Sequence, residues 1–211
     1  MNIAIIGAGK VGGALGTRFA QNGQTVTFGM KEGADASELL AKSSAKAAPA
    51  AAAAQQADII FLALPGPATV DVVRSLGDLT GKIIVDCGNP IGWDNGPVWA
   101  PPPEGSLAQA VARAAPGARV IKAFNQFGAE FHADPTLGST TADVFIAGDD
   151  AAAKKTIAEL ATATGFSPID AGPLRNAGVL ENLAVLWVHL ASVGGQGRNV
   201  AFKLLSRSAA G

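Results

Sequence analysis

The residues with the clearest capacity for chemistry are glycines. Gly7, Gly9 and Gly12 stand at the spacing G-x-G-x-x-G inside MNIAIIGAGKVG, residues Met1 to Gly12. An apolar run, Ile3 to Ile6, leads into them, and a helix-like segment, Ala14 to Asn22, leads away. Between a strand and a helix each glycine has a physical task. Gly7 takes a tight turn, Gly9 lets backbone approach a pyrophosphate, and Gly12 lets the helix lie close on the strand. The spacing predicts a dinucleotide cradle of Gly7, Ala8, Gly9, Lys10, Val11 and Gly12. Its anion sits where unpaired N–H groups and the positive end of the helix dipole favour negative charge.

The residues after the second strand, Thr25 to Phe28, select the dinucleotide. NAD-preferring sites carry Asp or Glu there to hold the ribose hydroxyls. This chain has Gly29-Met30-Lys31, and Lys31 offers a positive charge to a 2′-phosphate. NADP is therefore the expected coenzyme, with Met30 and Lys31 at its adenosine end and Glu32 one residue beyond. Two further apolar runs end in loops at the same level. DIIFLAL, Asp58 to Leu64, stops at Pro65-Gly66-Pro67, and KIIVD, Lys82 to Asp86, stops at Cys87-Gly88-Asn89-Pro90. A third, RVIKAF, Arg119 to Phe124, is followed by Asn125-Gln126-Phe127-Gly128. Ligands of open parallel sheets lie beyond the carboxyl ends of strands, so Leu64, Pro65, Asn89, Pro90 and Asn125 are candidates for the nicotinamide half. Asn89 also suits a local Asn-Pro turn.

These loops need a scaffold, and apolar strands alternating with helices supply one. The pattern predicts an α/β, Rossmann-type doubly wound and mostly parallel sheet, with a small C-terminal helical portion completing the cleft. The expected division is 1–148 for coenzyme binding and 149–211 for the α-rich remainder. Residues Ala34 to Ala54 read as two short helical pieces around a poorly marked strand, with Pro49 as the break. Ile91 to Gly105, with Trp93, Trp99 and a proline run, reads as an irregular ordered loop, a lid or a subunit contact. Asp143 to Ala147 reads as the last strand of the sheet. A helix at Ala151 to Thr164, an extended Phe166 to Asp170 and a long apolar helix, Ala177 to Val193, follow, and Val200 to Leu205 finishes the fold.

Composition removes several function classes. The chain has 211 residues, 48% hydrophobic and 16% charged, with a formal net charge of -1. That is a folded chain with no basic field for nucleic acid and no polybasic membrane patch. No apolar run is expected to reach the roughly 18 residues of a membrane span, and no leader precedes Ile3, so a cytoplasmic setting is expected. The single cysteine, Cys87, forms no internal disulfide or cysteine-built metal site and reads as a small buried filler. No metal site is expected. Tyrosine is absent, which excludes tyrosine-based carbonyl reduction. His132 and His189 are isolated, and His189, in an apolar helix, reads as a satisfied core residue. Arg175 reads as a brace for its loop through carbonyls or Glu181.

Four stretches together carry a resemblance: the N-terminal glycine motif, DCGNP (Asp86 to Pro90), VIKAFN (Val120 to Asn125) and AGPLRNAGVLENLAVLWVHLA (Ala171 to Ala191). In these the chain resembles the NADPH-dependent coenzyme F420 reductase family, whose Rossmann domain is also similar to the oxidoreductase domain of the STEAP ferric reductases. The resemblance implies NADP(H) as coenzyme and hydride exchange with a small-molecule redox acceptor, a flavin-like or deazaflavin (F420) ring. It also implies a basic residue against the 2′-phosphate, which carries over to Lys31. The family often has a hydroxyl residue and an arginine where this chain has Met30 and Lys31, and lysine lacks the bidentate fork.

Hydride exchange between two rings asks little acid-base chemistry of the protein, so no side chain is assigned a catalytic role. Two other readings stay open. One is an NADPH-dependent reductase of a small imine or keto acid, in which Lys122 delivers a proton if it faces the cleft. The other is a non-catalytic NADP(H) sensor. Trp99 and the C-terminal apolar helix suggest a homodimer.

Overall fold

The structure, a computed structural model, describes residues 1–207. The last four residues of the expected C-terminal portion lie outside the described residues. The first half alternates β1 (Asn2–Ile6), α1 (Lys10–Gln21), β2 (Thr25–Met30), α2 (Ser37–Ala41), β3 (Lys46–Pro49), α3 (Ala50–Gln56), β4 (Ile59–Leu62), α4 (Gly66–Ser75) and β5 (Ile83–Asp86). A hairpin follows, β6 (Ile91–Trp93) and β7 (Pro97–Trp99), then α5 (Leu107–Ala114), β8 (Arg119–Lys122) and α6 (Ala129–Ala133). The remainder comprises a small hairpin, β9 (Thr136–Leu137) and β10 (Thr140–Thr141), then β11 (Asp143–Gly148), α7 (Ala151–Ala163), β12 (Ser167–Asp170) and α8 (Ala177–Val188). A 3-10 turn, Leu174–Asn176, precedes α8, and a π-helical turn, His189–Val193, extends it.

The sheet has the order β12-β11-β8-β5-β4-β1-β2-β3. Six neighbouring strands, β3 to β8 in that order, run parallel. β11 is antiparallel to β8, and β12 is parallel to β11. The parallel strands are apolar on both faces: every residue of β4 and β5 is buried. That is the pattern required when helices cover both sides. One core gathers Phe19, Phe61, Phe124, Phe127 and Phe166 on the α1 face, and the other gathers Leu62, Val73, Leu76 and Val111 under α4 and α5.

The α/β, mostly parallel reading holds, and so does the short strand between two helical pieces at 37–56. Four expectations need correction. Ile91 to Gly105 is not wholly irregular, because Ile91 to Trp93 pairs with Pro97 to Trp99. Asp143 to Ala147 is not the last strand, because Ser167 to Asp170 adds an edge beside it. Pro168 is tolerated there because an edge strand can leave an N–H position unused. Residues 194–207 form no regular element. They are tied down by Trp187 Nε1, which donates to the Val200 carbonyl (2.7 Å), and by Lys203 Nζ on Asp143 (2.5 Å). Finally, Leu174–Val193 is one helical stretch of 20 residues, long and apolar enough by length and composition to cross a membrane. Here its inner side holds buried Ala177, Leu180, Glu181, Ala184 and Trp187 against the body.

Candidate coenzyme site

The glycine turn has a different constraint at each glycine. Gly7 has φ +102°, a conformation L side chains rarely adopt, and a Cβ there would lie 2.4 Å from the Ala63 carbonyl oxygen. At Gly12 a Cβ would lie 1.9 Å from the Gly7 carbonyl oxygen, so α1 rests on its own turn. Gly9 is the opposite case: a Cβ there meets nothing within 4 Å. Gly9 is the N-cap of α1, in extended conformation, with no side chain capping the helix. The first N–H groups of a helix have no intrahelical partner. Open space over an uncapped helix N-terminus fits a diphosphate, and this is the observation on which NADP(H) fits the residues present. The turn opens into a cleft of about 760 Å³ that follows the flank of α1 past Ala14 and Arg18 to Leu39 and Glu130.

The other expected residues fall on the same edge. Lys31 is the first residue past β2 and is exposed; Met30 is half-buried against the core. Leu64 and Pro65 follow β4, Asn89 and Pro90 follow β5, and Asn125 follows β8. The β4 and β5 loops touch: a Cβ on Gly66 would lie 2.9 Å from the Asn89 carbonyl oxygen. The β5 and β8 loops are joined by a reciprocal pair. Asn89 Nδ2 donates to the Asn125 carbonyl (2.9 Å), and Asn125 Nδ2 donates to Asn89 Oδ1 (2.8 Å) and to the Leu180 carbonyl of α8 (2.9 Å). Asn89 is therefore more than a local turn former. Asn125 Oδ1 and Gln126 Oε1 are buried without a partner among the described residues, a costly state that marks this loop for a polar contact.

Phe124, just before Asn125, has φ +58°. A bulky residue rarely takes that conformation unless its surroundings impose it. Its ring is fully buried and makes edge contacts with Phe61 (5.8 Å) and Phe166 (5.4 Å). Aromatic packing thus holds the bend that presents Asn125.

Sequence reading missed the ionic group beneath these loops. Lys122 is fully buried, with Nζ 2.7 Å from Asp86 Oδ2, 3.1 Å from Glu181 Oε1 and 2.5 Å from the Gly88 carbonyl oxygen. Asp86 Oδ1 accepts from the Gly88 N–H (2.9 Å). Glu181 Oε1 accepts from the Leu107 N–H at the start of α5 (2.9 Å), and its Oε2 accepts from Trp99 Nε1 (3.0 Å). One lysine thus ties β5, β8, α8, α5 and the hairpin together. Two of its protons go to Asp86 and the Gly88 carbonyl and the charge is shared with Glu181, all with no exposure to solvent, so it does not face the cleft as a proton donor. Through the same contacts Trp99 pins the hairpin to α8, whereas Trp93 is 66% exposed. Arg175 is exposed, and Glu181 is not its partner.

Cys87 is buried, and burial followed by the neighbouring Asp86 charge pushes its thiol far up, so it is inert. The expectation for His189 is overturned: it is exposed, because its position at the start of the π-helical extension lies opposite the buried face of α8. His132 is the buried one, with Nδ1 2.8 Å from the Gly128 carbonyl oxygen and Nε2 2.9 Å from that of Phe124. A neutral imidazole has one N–H to give, and the Phe124 carbonyl can take it, because the Gly128 carbonyl already accepts from the Phe131 N–H (3.2 Å). Burial holds the group below its usual value, against the pull of the two carbonyls and Glu130. The folded-state value is depressed, so above about pH 6.5 both states are neutral and the group has no effect. Below it the unfolded chain takes up a proton that the folded one resists. Urea midpoints are expected to fall as pH drops from 6.5 towards 5, with His132→Gln losing that slope; parallel slopes would contradict the assignment.

A doubly wound parallel sheet with a glycine turn and an uncapped helix at its switch point defines a dinucleotide-binding protein. A family model described as "NADP oxidoreductase coenzyme F420-dependent" matches residues 2–90. A crystal structure of a protein proposed to be an F420-dependent NADP reductase, from Arthrobacter sp. FB24, is 30% identical, with a TM-score of 0.88, covering 98% of this chain and 100% of that one. Rat metalloreductase STEAP3 is 31% identical over 180 residues, 85% of this chain and 35% of the relative. The chain thus spans about a third of that curated relative. A reductive aminase from Aspergillus terreus, solved with NADPH and ethyl levulinate, shares the fold at 22% identity and TM-score 0.68, over 92% of this chain and 62% of that one. The chain belongs to the coenzyme F420-dependent NADP oxidoreductase family. That family is described as one of NADP oxidoreductases.

Proposed function

We propose that this chain transfers hydride between NADP(H) and a planar ring acceptor of the flavin or deazaflavin (F420) class. The observation that carries the reading is the character of the strand-end loops. They present Asn89 and Asn125, while the proton-bearing groups beneath those loops are sequestered: Lys122 by Asp86, Glu181 and the Gly88 carbonyl, His132 between two carbonyls, Cys87 by burial. Reduction of an imine or keto acid needs a proton delivered to the substrate, whereas exchange between two redox rings leaves that chemistry to the rings. The 30% identical relative proposed to be an F420-dependent reductase supports the same acceptor class.

When bound, the nicotinamide supplies the hydride. The protein's part is to hold and orient. Backbone amides from Gly7 to Gly12 would take the diphosphate, and Met30 and Lys31 would border the adenosine with Lys31 on the 2′-phosphate. Leu64, Pro65, Asn89, Pro90 and Asn125 would line the nicotinamide half. Asn125 Oδ1, unpartnered at present, is the acceptor suited to an amide there.

Rapid mixing of enzyme and NADPH with F420, FMN or FAD, and separately with small imines and keto acids, tests the acceptor. Loss of nicotinamide absorbance with a ring acceptor is the expected result. Oxidation by imines or keto acids alone, or tight binding with no oxidation, would contradict it. Lys31→Ala is expected to weaken NADPH roughly fivefold to tenfold, the scale of one exposed charge-assisted contact, and to leave NADH unchanged. Equal effects on both would make Lys31 an ordinary surface residue.

A further inference from the structure

The ionic group beneath the strand ends does not balance. Lys122 carries one positive charge against Asp86 and Glu181, and all three side chains are fully buried. Both carboxyl groups are ionised, because every oxygen faces a donor. Asp86 accepts from the Lys122 ammonium and the Gly88 N–H, and Glu181 from the Leu107 N–H and the Trp99 indole, with Lys122 beside its Oε1. A protonated acid would turn an O–H against one of them. Among the described residues neither carboxylate has a second cationic partner. The positive end of α5, at Leu107, counts for about half a unit charge at most. A net negative charge therefore remains, and burial leaves it poorly screened. Its sign is felt one residue along: at Cys87 burial raises the thiol first, and of the two charges acting there Asp86 outweighs Lys122.

The charge lies where it can act on the coenzyme. Gly88 donates its N–H to Asp86 and accepts from Lys122 through its carbonyl, and the next residue is Asn89. Asn89 is joined to Asn125, and Asn125 to the carbonyl of Leu180, the residue before Glu181. The loops assigned to the nicotinamide half are thus built directly onto the ionic group. Giving up a hydride, with its electron pair, to the acceptor changes the nicotinamide ring from neutral to singly positive. A fixed negative charge nearby favours the positive form. We propose, resting on the placement of the nicotinamide beside Asn89 and Asn125, that the excess charge of Asp86, Glu181 and Lys122 makes the bound coenzyme a stronger hydride donor. It does so by tightening NADP+ relative to NADPH. The chain is thereby biased toward drawing hydride out of NADPH, whichever acceptor receives it.

Glu181→Gln removes one unit of that charge and leaves Lys122 paired with Asp86. A second form adds Trp99→Phe, so that the one amide oxygen serves Leu107 alone. Titration of each with NADP+ and with NADPH, after circular dichroism has checked the fold, gives the ratio of the two dissociation constants. In both forms the ratio of NADP+ to NADPH is expected to rise about tenfold, the scale for one unit charge acting across a loop. That raises the potential of the bound couple by about 30 mV. Glu159→Gln, exposed on α7, is expected to leave the ratio at its wild-type value. A loss of affinity shared equally by the two nucleotides would make the ionic group merely structural and overturn the proposal, as would an unchanged or lower ratio. Failure of the wild-type chain to bind either nucleotide would instead overturn the coenzyme site itself.

Discussion

Replacing Gly9 by Val is expected to weaken NADPH binding by at least about 100-fold while moving the thermal midpoint by no more than about 4 °C. The separation of the two readouts follows from geometry. Space over Gly9 is open and its φ is -74°, so a side chain meets no clash and the fold loses only the preference for Gly over Val at an N-cap, about 1 kcal/mol. The same side chain stands where a diphosphate must reach the helix N–H groups. Gly12→Val is the control with the opposite outcome, since its Cβ would press on the Gly7 carbonyl at 1.9 Å. That variant is expected to be poorly folded with or without coenzyme. Wild-type NADPH affinity in Gly9→Val would mean that the cradle lies elsewhere.

Lys122→Met is expected to lower stability by about 3–5 kcal/mol, the scale for removing one partner of a buried ion pair. The loss arises because Asp86 and Glu181, both fully buried, lose their common cation. A triple variant, Lys122→Met with Asp86→Asn and Glu181→Gln, should recover part of it. Neutral amides can still accept from Gly88, Leu107 and Trp99 without a stranded charge. Denaturant unfolding measures both. A single variant within 1 kcal/mol of wild type would show that the ionic group does not hold the strand ends together.

The parts that could be read in advance were those written in local sequence. DIIFLAL and KIIVD announce buried parallel strands, and the glycine spacing announces the turn, because their determinants lie within a few residues. The hairpin at Ile91–Trp99 was also written locally, as Asn95-Gly96 between two short apolar runs. The proline-rich surroundings hid it. Lys122 was harder, since Asp86 and Glu181 lie 36 and 59 positions away, and pleat parity decides which face a strand lysine takes. The exposure of His189 has the same origin. An apolar helix suggests burial all round, yet the side of α8 away from the body is bare, and only the packing shows which side that is. The positive φ at Phe124 has no local signal either, because the surrounding aromatic rings impose it.

The central claim is that the amino end of α1 receives the diphosphate of NADP(H). Calorimetric titration of the purified chain with NADPH, and in parallel with NADH, tests it most directly. The account predicts saturable binding at one site per chain, tighter for NADPH than for NADH. No binding of either nucleotide at millimolar concentration would contradict it.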